Sequence, residues 1–326
     1  MSKQETKIIR WGILGLGHIA QKFAQDIASV HGTKLYAVAS RSSQKASSFA
    51  NQFHVPVSYG SYELLVKDPL VDAIYIATPH SFHKEHAILC LQHKKAVLCE
   101  KPFAMNLEEV EEMISVSERE NTLIMEALWT AFLPHYQYLI NLLKNNTFGK
   151  VLRLEADFGF KSTHGLDSRV LKKELGGGSL LDIGIYPVFL ALSTLGIPKS
   201  IEADATFFTN GADSSCEMIF NYDNSKAILK STFLKKTPTE AIFTCEHGVI
   251  KINTMFHQPT SITLLKNGIE EHVDFSTKTF GYNFEIEHFN QLLRDHKKES
   301  DLMSFSFSKD LIATLDLIRK KINLNY

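Results

Sequence analysis

The sequence predicts an α/β chain of two domains: an N-terminal domain with a doubly wound parallel sheet, then an α+β domain with a mostly antiparallel, open-faced sheet. Three observations support this prediction. Short apolar runs alternate with helix-period segments up to about residue 126, and period-2 alternation dominates after residue 150. The length of 326 residues, with 44% hydrophobic residues, is sufficient for two cores. We therefore divide the chain into residues 1–126 and 127–326.

The first predicted element is an apolar run from Ile8 to Leu14, which is typical of a buried parallel strand. A glycine-rich turn and a helix with an apolar stripe follow it. Gly15 allows a tight turn, Gly17 removes a side chain where a pyrophosphate would approach, and Ala20 lets the helix lie close to the strand. Glycines also serve ordinary turns, but this strand–turn–helix context favours a dinucleotide site of the Rossmann type. The residues that begin the helix and would face the phosphates are His18, Ile19 and Ala20.

The residues after the second predicted strand indicate which dinucleotide is preferred. This strand runs from Lys34 to Ala39 and ends in Ser40-Arg41-Ser42. Sites that prefer NAD usually place an Asp or Glu about 20 residues past the glycines, but no acidic residue lies between Asp26 and Glu63. Arg41 can instead pair with a 2′-phosphate, with Ser40, Ser42 and Lys45 beside it; the alternative is a solvated loop arginine. We expect NADP to be favoured, with some use of NAD.

The rest of the N-terminal half continues as alternating strands and helices. Strands are predicted from Val71 to Thr78, from Ala96 to Glu100 and from Thr122 to Met125. Helices are predicted from His83 to His93 and from Leu107 to Asn121, the second one capped by Asn106. Strands that alternate with short helices imply a parallel, doubly wound sheet.

Three histidines, His80, His83 and His86, have a spacing that resembles a metal cluster. On a helix, steps of three residues fan such side chains over roughly 120°, so they cannot all converge on one ion. Thr78-Pro79-His80 also indicates a loop at the end of a strand. We therefore expect no metal. The loop is expected to face the cofactor through Thr78, Pro79, His80 and His83.

After residue 127 the pattern changes to that of a second domain. A helix is predicted from Pro134 to Asn145, and apolar residues alternate with polar ones from Val151 to Phe160. Further strand-like runs extend from Ile201 to Phe207, Cys216 to Tyr222, Lys226 to Leu234, Glu240 to Cys245, Val249 to Asn253 and Ser261 to Leu265. These runs predict a mostly antiparallel sheet with one face against helices.

Two further segments place side chains that can carry chemistry. Lys101 follows the strand that ends at Glu100, and open α/β sheets bind their ligands at the carboxyl ends of such strands. In the second half, a run of three glycines leads into a helix on which Asp182 and Tyr186 are spaced i, i+4 and share a face. An acid and a phenol side by side can handle a proton. The alternative is a structural helix with a cap and a core tyrosine.

Three motifs together resemble one known family. They are Gly15-x-Gly17-x-x-Ala20, Glu100-Lys101-Pro102 and Gly177-Gly178-x-x-x-Asp182-x-Gly184-x-Tyr186, and their order and spacing cover most of the chain. The chain resembles the glucose–fructose oxidoreductase/inositol dehydrogenase (Gfo/Idh/MocA) family of NAD(P)-dependent oxidoreductases. Tyr186, where many members have His, and the run from Met125 to Thr130 resemble its branch of dimeric dihydrodiol dehydrogenases and NADP-dependent xylose dehydrogenases.

The resemblance implies the fold, the reaction and the assembly. It implies a Rossmann domain, and a C-terminal domain whose open sheet forms a homodimer or homotetramer. The expected reaction is oxidation of a secondary or anomeric alcohol of a sugar, polyol or cyclic diol. Glu100 and Lys101 would lie at the cofactor, and we expect a cis bond between Lys101 and Pro102.

The resemblance also suggests a role for each side chain of the site. Tyr186 is the expected acid/base; a free phenol has a pKa of about 10, and the Lys101 ammonium would favour phenolate. Lys101 would also hydrogen-bond the substrate oxygen, and Asp182 would anchor a second hydroxyl or orient Lys101. Trp129 and Phe160 would form an apolar wall for the carbon face of the substrate, although each is also plausible as plain core.

Composition bears on partners and compartment. The net charge of −1 argues against nucleic-acid and anionic-membrane partners. No apolar signal-peptide region precedes Lys7, and the longest uncharged stretch is too short to span a bilayer. The four cysteines have no paired spacing, so we expect reduced cysteines and a cytoplasmic protein. Two alternatives to a dehydrogenase stay open: tightly bound NAD used for non-net redox chemistry, and a non-catalytic nucleotide-binding regulator.

Overall fold

The computed structural model describes residues 7–326, which fold into two compact units. The first unit runs to Trp129 and takes in Thr279–Ser308, and the second consists of Thr130–Lys278 and Lys309–Tyr326. The first unit contains a six-stranded parallel sheet, and the second contains an eight-stranded, mostly antiparallel sheet. The two sheets confirm the predicted fold class.

The first unit begins as a regular alternation of strands and helices. In chain order these are β1 (Ile9–Leu14), α1 (His18–Ile27), β2 (Thr33–Ala39), α2 (Ser43–Phe53), β3 (Val57–Tyr59), α3 (Tyr62–Lys67), β4 (Ala73–Ile76), α4 (His83–Gln92), β5 (Ala96–Glu100), α5 (Leu107–Glu120) and β6 (Ile124–Ala127). The strand order is β3-β2-β1-β4-β5-β6. This order reverses between β1 and β4, and ligands of such sheets bind at the carboxyl ends of the strands near that reversal.

Polar caps determine where several of these helices begin. The Asn106 side chain accepts the Glu109 N–H at 2.9 Å, which confirms the predicted cap of α5. The hydroxyls of Ser42 and Ser61 cap α2 and α3 in the same way. The sequence pattern predicts neither of these two helices, because α2 is rich in serine and α3 has only six residues.

The second unit is built on the larger sheet. Its elements are α6 (Pro134–Lys144), β7 (Val151–Gly159), α7 (Ile185–Leu195), β8 (Ser200–Phe207), β9 (Asp213–Asn221), β10 (Lys226–Thr232), β11 (Ala241–Cys245), β12 (Gly248–Ile252), β13 (Ser261–Lys266) and β14 (Ile269–Asp274). The strand order is β14-β13-β12-β11-β7-β10-β9-β8, with β7 and β10 parallel and the other neighbours antiparallel. Each predicted strand is present, with its ends moved by at most three residues.

One face of this sheet is covered and the other is open. The apolar helix α7 packs on β7 and β10 and is buried along most of its length. Within residues 7–326, one helical stretch, Lys173–Leu195, has the length and apolar character of a membrane span, and 89% of its most apolar window is buried inside the fold. That degree of burial is the pattern of a core helix. The opposite face exposes side chains such as Glu202, Glu217 and Lys230.

The sequence pattern predicts no element after residue 265, whereas the structure forms β14, α8 (Tyr282–Arg294) and α9 (Phe305–Lys321). It also places Thr279–Ser308 in the first unit, whereas the division at residue 126 puts this segment in the second domain. The Asp26 carboxylate accepts the N–H groups of Phe280 and Tyr282 at 3.0 and 2.9 Å, at the start of α8. The segment is therefore fixed by partners more than 250 positions away, which no local pattern reports.

Candidate active site

The glycine turn between β1 and α1 has the shape that a dinucleotide site requires. Gly15 has φ of +92°, and a Cβ there would lie 2.9 Å from the Ala77 carbonyl oxygen, so only glycine fits. A Cβ at Gly17 would face open space, with no described atom within 4 Å. Gly17 also begins α1 without a side-chain cap from the described residues. This geometry leaves room for a pyrophosphate at the N–H groups of His18, Ile19 and Ala20, which stay a prediction as its contacts.

Arg41 lies at the mouth of a cavity of about 290 Å³ at the end of β2. Its exposed guanidinium is 5.9 Å from the centre of the Phe82 ring, and Thr78 and Pro79 line the same cavity. Ser40 and Ser42, which the sequence analysis places beside Arg41, form hydrogen bonds with the local main chain. The Ser42 hydroxyl accepts the N–H of Lys45, and the Ser40 hydroxyl accepts the N–H of Ser42, both at 3.3 Å.

Two carboxylates share this cavity with Arg41. Glu63 and Glu85 both line it, although the chain has no acidic residue from position 27 to 62. Hydrogen bonds from its own backbone N–H and from Ser61 lower the pKa of Glu63. Glu63 is therefore ionised at neutral pH, beside the arginine that was predicted to bind a phosphate. In the sequence, Glu63 is the first acidic residue after Asp26.

The three predicted histidines are engaged with the protein itself. His83 is completely buried; its Nδ1 lies 2.8 Å from the Pro102 carbonyl oxygen and its Nε2 lies 3.0 Å from that of Thr78. Nδ1 of His86 lies 3.0 Å from the Thr78 hydroxyl, and burial lowers the pKa of His86 to about 4. His80 is buried as well. In the described part of the chain, no three His, Cys, Asp or Glu side chains form a metal-ligand set. Any link of His83 to a cofactor therefore runs through the main chain that it supports.

Lys101 lies on a turn that buried carboxylates hold at both ends. The bond between Lys101 and Pro102 is cis, which confirms the prediction. The Glu100 side chain accepts the Tyr75 hydroxyl and, at 3.2 Å, the N–H of Lys101. On the other side of Pro102, the N–H of Phe103 donates to Glu126 Oε1 at 3.0 Å. The Lys101 side chain itself is half-buried.

The carboxylates around this turn are strongly perturbed. Burial raises the pKa of Glu126 to about 7. Burial raises the pKa of Glu285, on α8, well above its usual value, and Glu100 and Asp26 add to this effect. Both Glu285 carboxylate oxygens are buried with no hydrogen-bond partner among the described residues, and this environment favours the neutral form of the carboxyl. Nearby, the Trp129 ring is 5% exposed and stacks on that of Tyr282, with centroids 4.5 Å apart.

In the second unit, Asp182 and Tyr186 lie on a helix that begins irregularly. Residues Leu180–Gly184 form a π-helical turn, and α7 continues from Ile185. The predicted α-helical spacing of Asp182 and Tyr186 is therefore wrong in detail, because π-helical hydrogen bonds run from i to i+5. Such turns are rare and are frequent at functional sites. The exposed Arg169 lies 3.8 Å from Asp182.

An aromatic cluster surrounds Tyr186, which is 6% exposed. Its ring centre lies 4.9 Å from that of His257 and 5.8 Å from that of Phe158, and these two rings stack at 4.1 Å. Phe160, half-buried, contacts Phe233 at the edge of this cluster. His257 was missed from the sequence because it lies in a loop with no recognisable pattern.

The start of this helix is held by a buried residue that the motifs do not contain. Asp213, at the first position of β9, is 0% exposed. Its Oδ2 accepts the Ser179 hydroxyl and the Leu180 N–H, both at 2.7 Å. Gly178 has φ of +136°, and a Cβ there would collide with Asp213 Oδ1. The triple glycine therefore lets a carboxylate reach the helix start, and burial raises the pKa of Asp213 to about 6.

Comparison with known families matches both halves of the chain. A model described as an oxidoreductase family with an NAD-binding Rossmann fold matches residues 9–128, and a model of the GFO/IDH/MocA C-terminal domain matches residues 136–251. Among curated relatives, trans-1,2-dihydrobenzene-1,2-diol dehydrogenase of Xenopus tropicalis is 35% identical over 97% of this chain and 99% of its own length. The NADP-dependent scyllo-inositol 2-dehydrogenase of Bacillus subtilis is 31% identical over 98% of each chain.

Solved structures share the fold at lower identity. Aldose–aldose oxidoreductase from Caulobacter crescentus has a TM-score of 0.89 and 20% identity, over 97% of this chain and 98% of its own. The 3-ketoreductase KijD10 from Actinomadura kijaniata, solved with NADP and TDP-benzene, has a TM-score of 0.86 and 22% identity, over 96% and 98%. The resemblance and its branch are confirmed: the chain belongs to the GFO/IDH/MocA family and is an NAD(P)-dependent oxidoreductase, a dehydrogenase acting on CH–OH groups.

Proposed function

We propose that the protein oxidises a secondary or anomeric alcohol of a sugar, polyol or cyclic diol, with NADP preferred over NAD. The observation that carries the proposal is the Lys101 turn. It projects an ammonium-bearing side chain from the carboxyl end of β5, in the sheet whose glycine turn fits a dinucleotide. The names of the relatives, a dihydrodiol dehydrogenase and an inositol dehydrogenase, support the class of alcohol.

Each residue has a part in cofactor binding. Gly15 and Gly17 admit the pyrophosphate to the first turn of α1, and Arg41 pairs with the 2′-phosphate. The nicotinamide of the bound cofactor supplies the hydride acceptor. Glu100 fixes the main chain at Lys101, and Thr78 and Pro79 line the cavity beside Arg41. These roles need only groups within the first unit.

Proton transfer belongs to Tyr186 in this proposal. The Tyr186 phenolate takes the proton from the substrate hydroxyl and becomes the neutral phenol, and the Lys101 ammonium hydrogen-bonds the same substrate oxygen. Asp182 anchors a second hydroxyl. The rings of Phe158 and His257 beside Tyr186, and Phe160 at the edge of the cluster, support a hydroxylated substrate that presents an apolar carbon face to them. Trp129 supplies a further ring in the first unit.

The test is an initial-rate assay against a panel of aldoses, polyols and cyclic diols, with NADP and with NAD. We expect turnover of at least one alcohol, with a higher kcat/KM for NADP. Nucleotide that stays bound through desalting and turns over without net reduction would favour tightly held NAD. Nucleotide binding without turnover of any alcohol would favour a regulator. Either result would reject the proposal.

We further propose that the protein is a cytoplasmic homodimer or homotetramer, joined through the open face of the eight-stranded sheet. This face has a depression of about 480 Å³ in which the apolar Ile219 and Ile228 lie beside the ion pair of Glu217 and Lys230. All four cysteines are free and buried, which supports a reducing compartment. Sedimentation of Ile228→Glu against wild type tests the interface, and cell fractionation tests the compartment; an unchanged oligomer or an extracellular protein would refute them.

A further inference from the structure

Glu126 lies in the run from Met125 to Thr130, and the proposed function gives it no role. It occupies the edge strand β6, opposite Cys99 of β5, and is 2% exposed. Burying a carboxylate costs free energy, and an apolar side chain would pack in this strand without that cost. The burial of Glu126 therefore indicates a role other than packing.

Both carboxylate oxygens of Glu126 have a donor. The N–H of Phe103 donates to Oε1 at 3.0 Å, and the Ser308 hydroxyl donates to Oε2 at 2.8 Å. Phe103 is buried and lies two residues after Lys101. The two contacts therefore tie the far end of the Lys101 turn to β6 and to the first turn of α9.

The contacts differ from those on the near side of the turn. There, Glu100 belongs to β5 itself and accepts the Tyr75 hydroxyl of β4 and the adjoining N–H of Lys101. Glu126 reaches the turn from the neighbouring strand, so it fixes the position of the turn relative to the sheet. His83 contributes a third support, at the Pro102 carbonyl oxygen.

We propose that Glu126 is a positioning residue for Lys101, holding the turn so that the ammonium is presented to the substrate oxygen. The inference rests on the proposed function, because it takes Lys101 as the group that contacts the substrate. Glu126 does so as a carboxylate: charge-assisted hydrogen bonds are about twice as strong as neutral ones, and both of its partners are donors.

Ionisation of Glu126 then appears in the rate. Burial raises its pKa to about 7, Glu100 raises it further, and Ser308, Phe103 N–H and Lys101 act in the opposite direction. Cys99 also faces it from β5, and burial keeps that thiol neutral. As the pH falls through about 7, Glu126 takes up a proton, the hold on the turn weakens, and kcat declines.

The experiment compares Glu126→Gln with Ser308→Ala in the full-length protein. Gln keeps the shape and an acceptor for Phe103 but has no charge, and Ser308→Ala removes one donor and leaves the carboxylate. We expect Glu126→Gln to lower kcat about tenfold at pH 8, to leave the NADP Kd unchanged, and to abolish the acid limb near pH 7. Ser308→Ala should keep an acid limb, moved to higher pH because a donor to Glu126 is lost, and should lose less than threefold in kcat at pH 8.

The outcomes separate this inference from its premise. A Glu126→Gln protein with kcat within twofold of wild type and the same acid limb would overturn the positioning role, even if Lys101→Met is inactive. A Lys101→Met protein with full activity would instead refute the proposed function. Asp213, with a pKa of about 6, remains in both variants, so a residual limb near pH 6 supports the assignment of the upper limb to Glu126. If Glu126→Gln misfolds, the pH profile of Ser308→Ala decides, because its limb should move upward with the loss of a donor.

Discussion

The Lys101 turn and the helix that carries Tyr186 are each held by a buried carboxylate from a neighbouring strand, but the two carboxylates differ in their surroundings. Glu126 has a donor on each oxygen. Asp213 has two donors on Oδ2, while its Oδ1 is buried with no hydrogen-bond partner among the described residues. Only Asp213 needs a glycine to make room for it. The two proposed catalytic groups therefore depend on carboxylates that differ in hydrogen bonding: both oxygens of Glu126 have a donor, but only one oxygen of Asp213 does.

The largest expected effects are on the groups themselves rather than on their supports. Tyr186→Phe should lower kcat by about 10²–10⁴, the usual contribution of a positioned acid or base, and Lys101→Met should do comparable damage. Tyr186→Phe should leave the NADP Kd and the fold unchanged. Steady-state kinetics with any accepted alcohol, together with circular dichroism, check this. A Tyr186→Phe protein within threefold of wild-type activity would show that the phenol is a packing group.

Gly178→Ala should damage the Asp213 support most strongly. The new Cβ collides with Asp213 Oδ1, and the alanine must adopt the positive φ of Gly178. We therefore expect a loss of more than about 3 kcal/mol in the free energy of unfolding. Gly196→Ala is the matched control, because Gly196 also has a positive φ but no described atom within 4 Å of its Cβ position; it should cost about 1–2 kcal/mol. Urea denaturation of both variants measures the difference, and equal losses would contradict a steric role for Asp213.

The two supports should also have separate signatures in the pH dependence of stability. Burial raises the pKa of Asp213 from 3.8 to about 6, so the stability that its neutral form contributes is present below about pH 4 and is lost as the pH rises through about 6. The change is on the order of 3 kcal/mol. Asp213→Asn should flatten the free energy of unfolding between pH 4 and 6, and Glu126→Gln should flatten it between about 4.5 and 7. Identical slopes in wild type and Asp213→Asn would show that Asp213 is not neutral in the folded protein.

The smallest expected effects concern cofactor choice. They test whether residues of the first unit other than those at the Lys101 turn determine the affinity for the cofactor. Arg41→Ala should weaken NADP binding about tenfold or more, because a charge-assisted contact is lost, and leave NAD nearly unchanged. Glu63→Gln should do the opposite and strengthen NADP binding by less than tenfold, since it removes a carboxylate from the same cavity. Fluorescence titration of the two variants with NADP and with NAD measures their four dissociation constants, which are compared with those of the wild type. Equal weakening of NADP and NAD by Arg41→Ala would remove Arg41 from the 2′-phosphate site.

The residues that the sequence identified are those whose role depends on local geometry. The glycine turn and the Asn106 cap are each determined within a few positions, so their patterns are visible in the chain. The cis bond between Lys101 and Pro102 was expected from the family resemblance. The parallel strands were predictable for a related reason: strands buried on both faces are continuous apolar runs. The order and spacing of the three motifs were then sufficient to identify the family.

The residues that the sequence missed act through partners that are distant along the chain. Asp213 contacts Leu180 across 33 positions, and Asp26 contacts Tyr282 across 256. Glu285 shows no feature in the sequence that distinguishes it from a surface glutamate of an amphipathic helix, and only its complete burial makes it unusual. Strand β14 was missed because almost all of its residues are exposed, so that no buried alternation marks it.

The hydrogen bonds between Asp26 and the start of α8 have a consequence for the order in which the protein folds during its synthesis. The first sheet is complete once residue 127 has been made, but the indole N–H of Trp11 donates to Asn290, and Phe289 packs against the same ring. These partners leave the ribosome only after the whole of the eight-stranded sheet. We therefore expect nascent chains stalled after residue 278 to expose the Trp11 side of their first unit to proteolysis, and chains extended past residue 308 to be protected. The nucleotide-binding unit is then finished last, although its strands are made first.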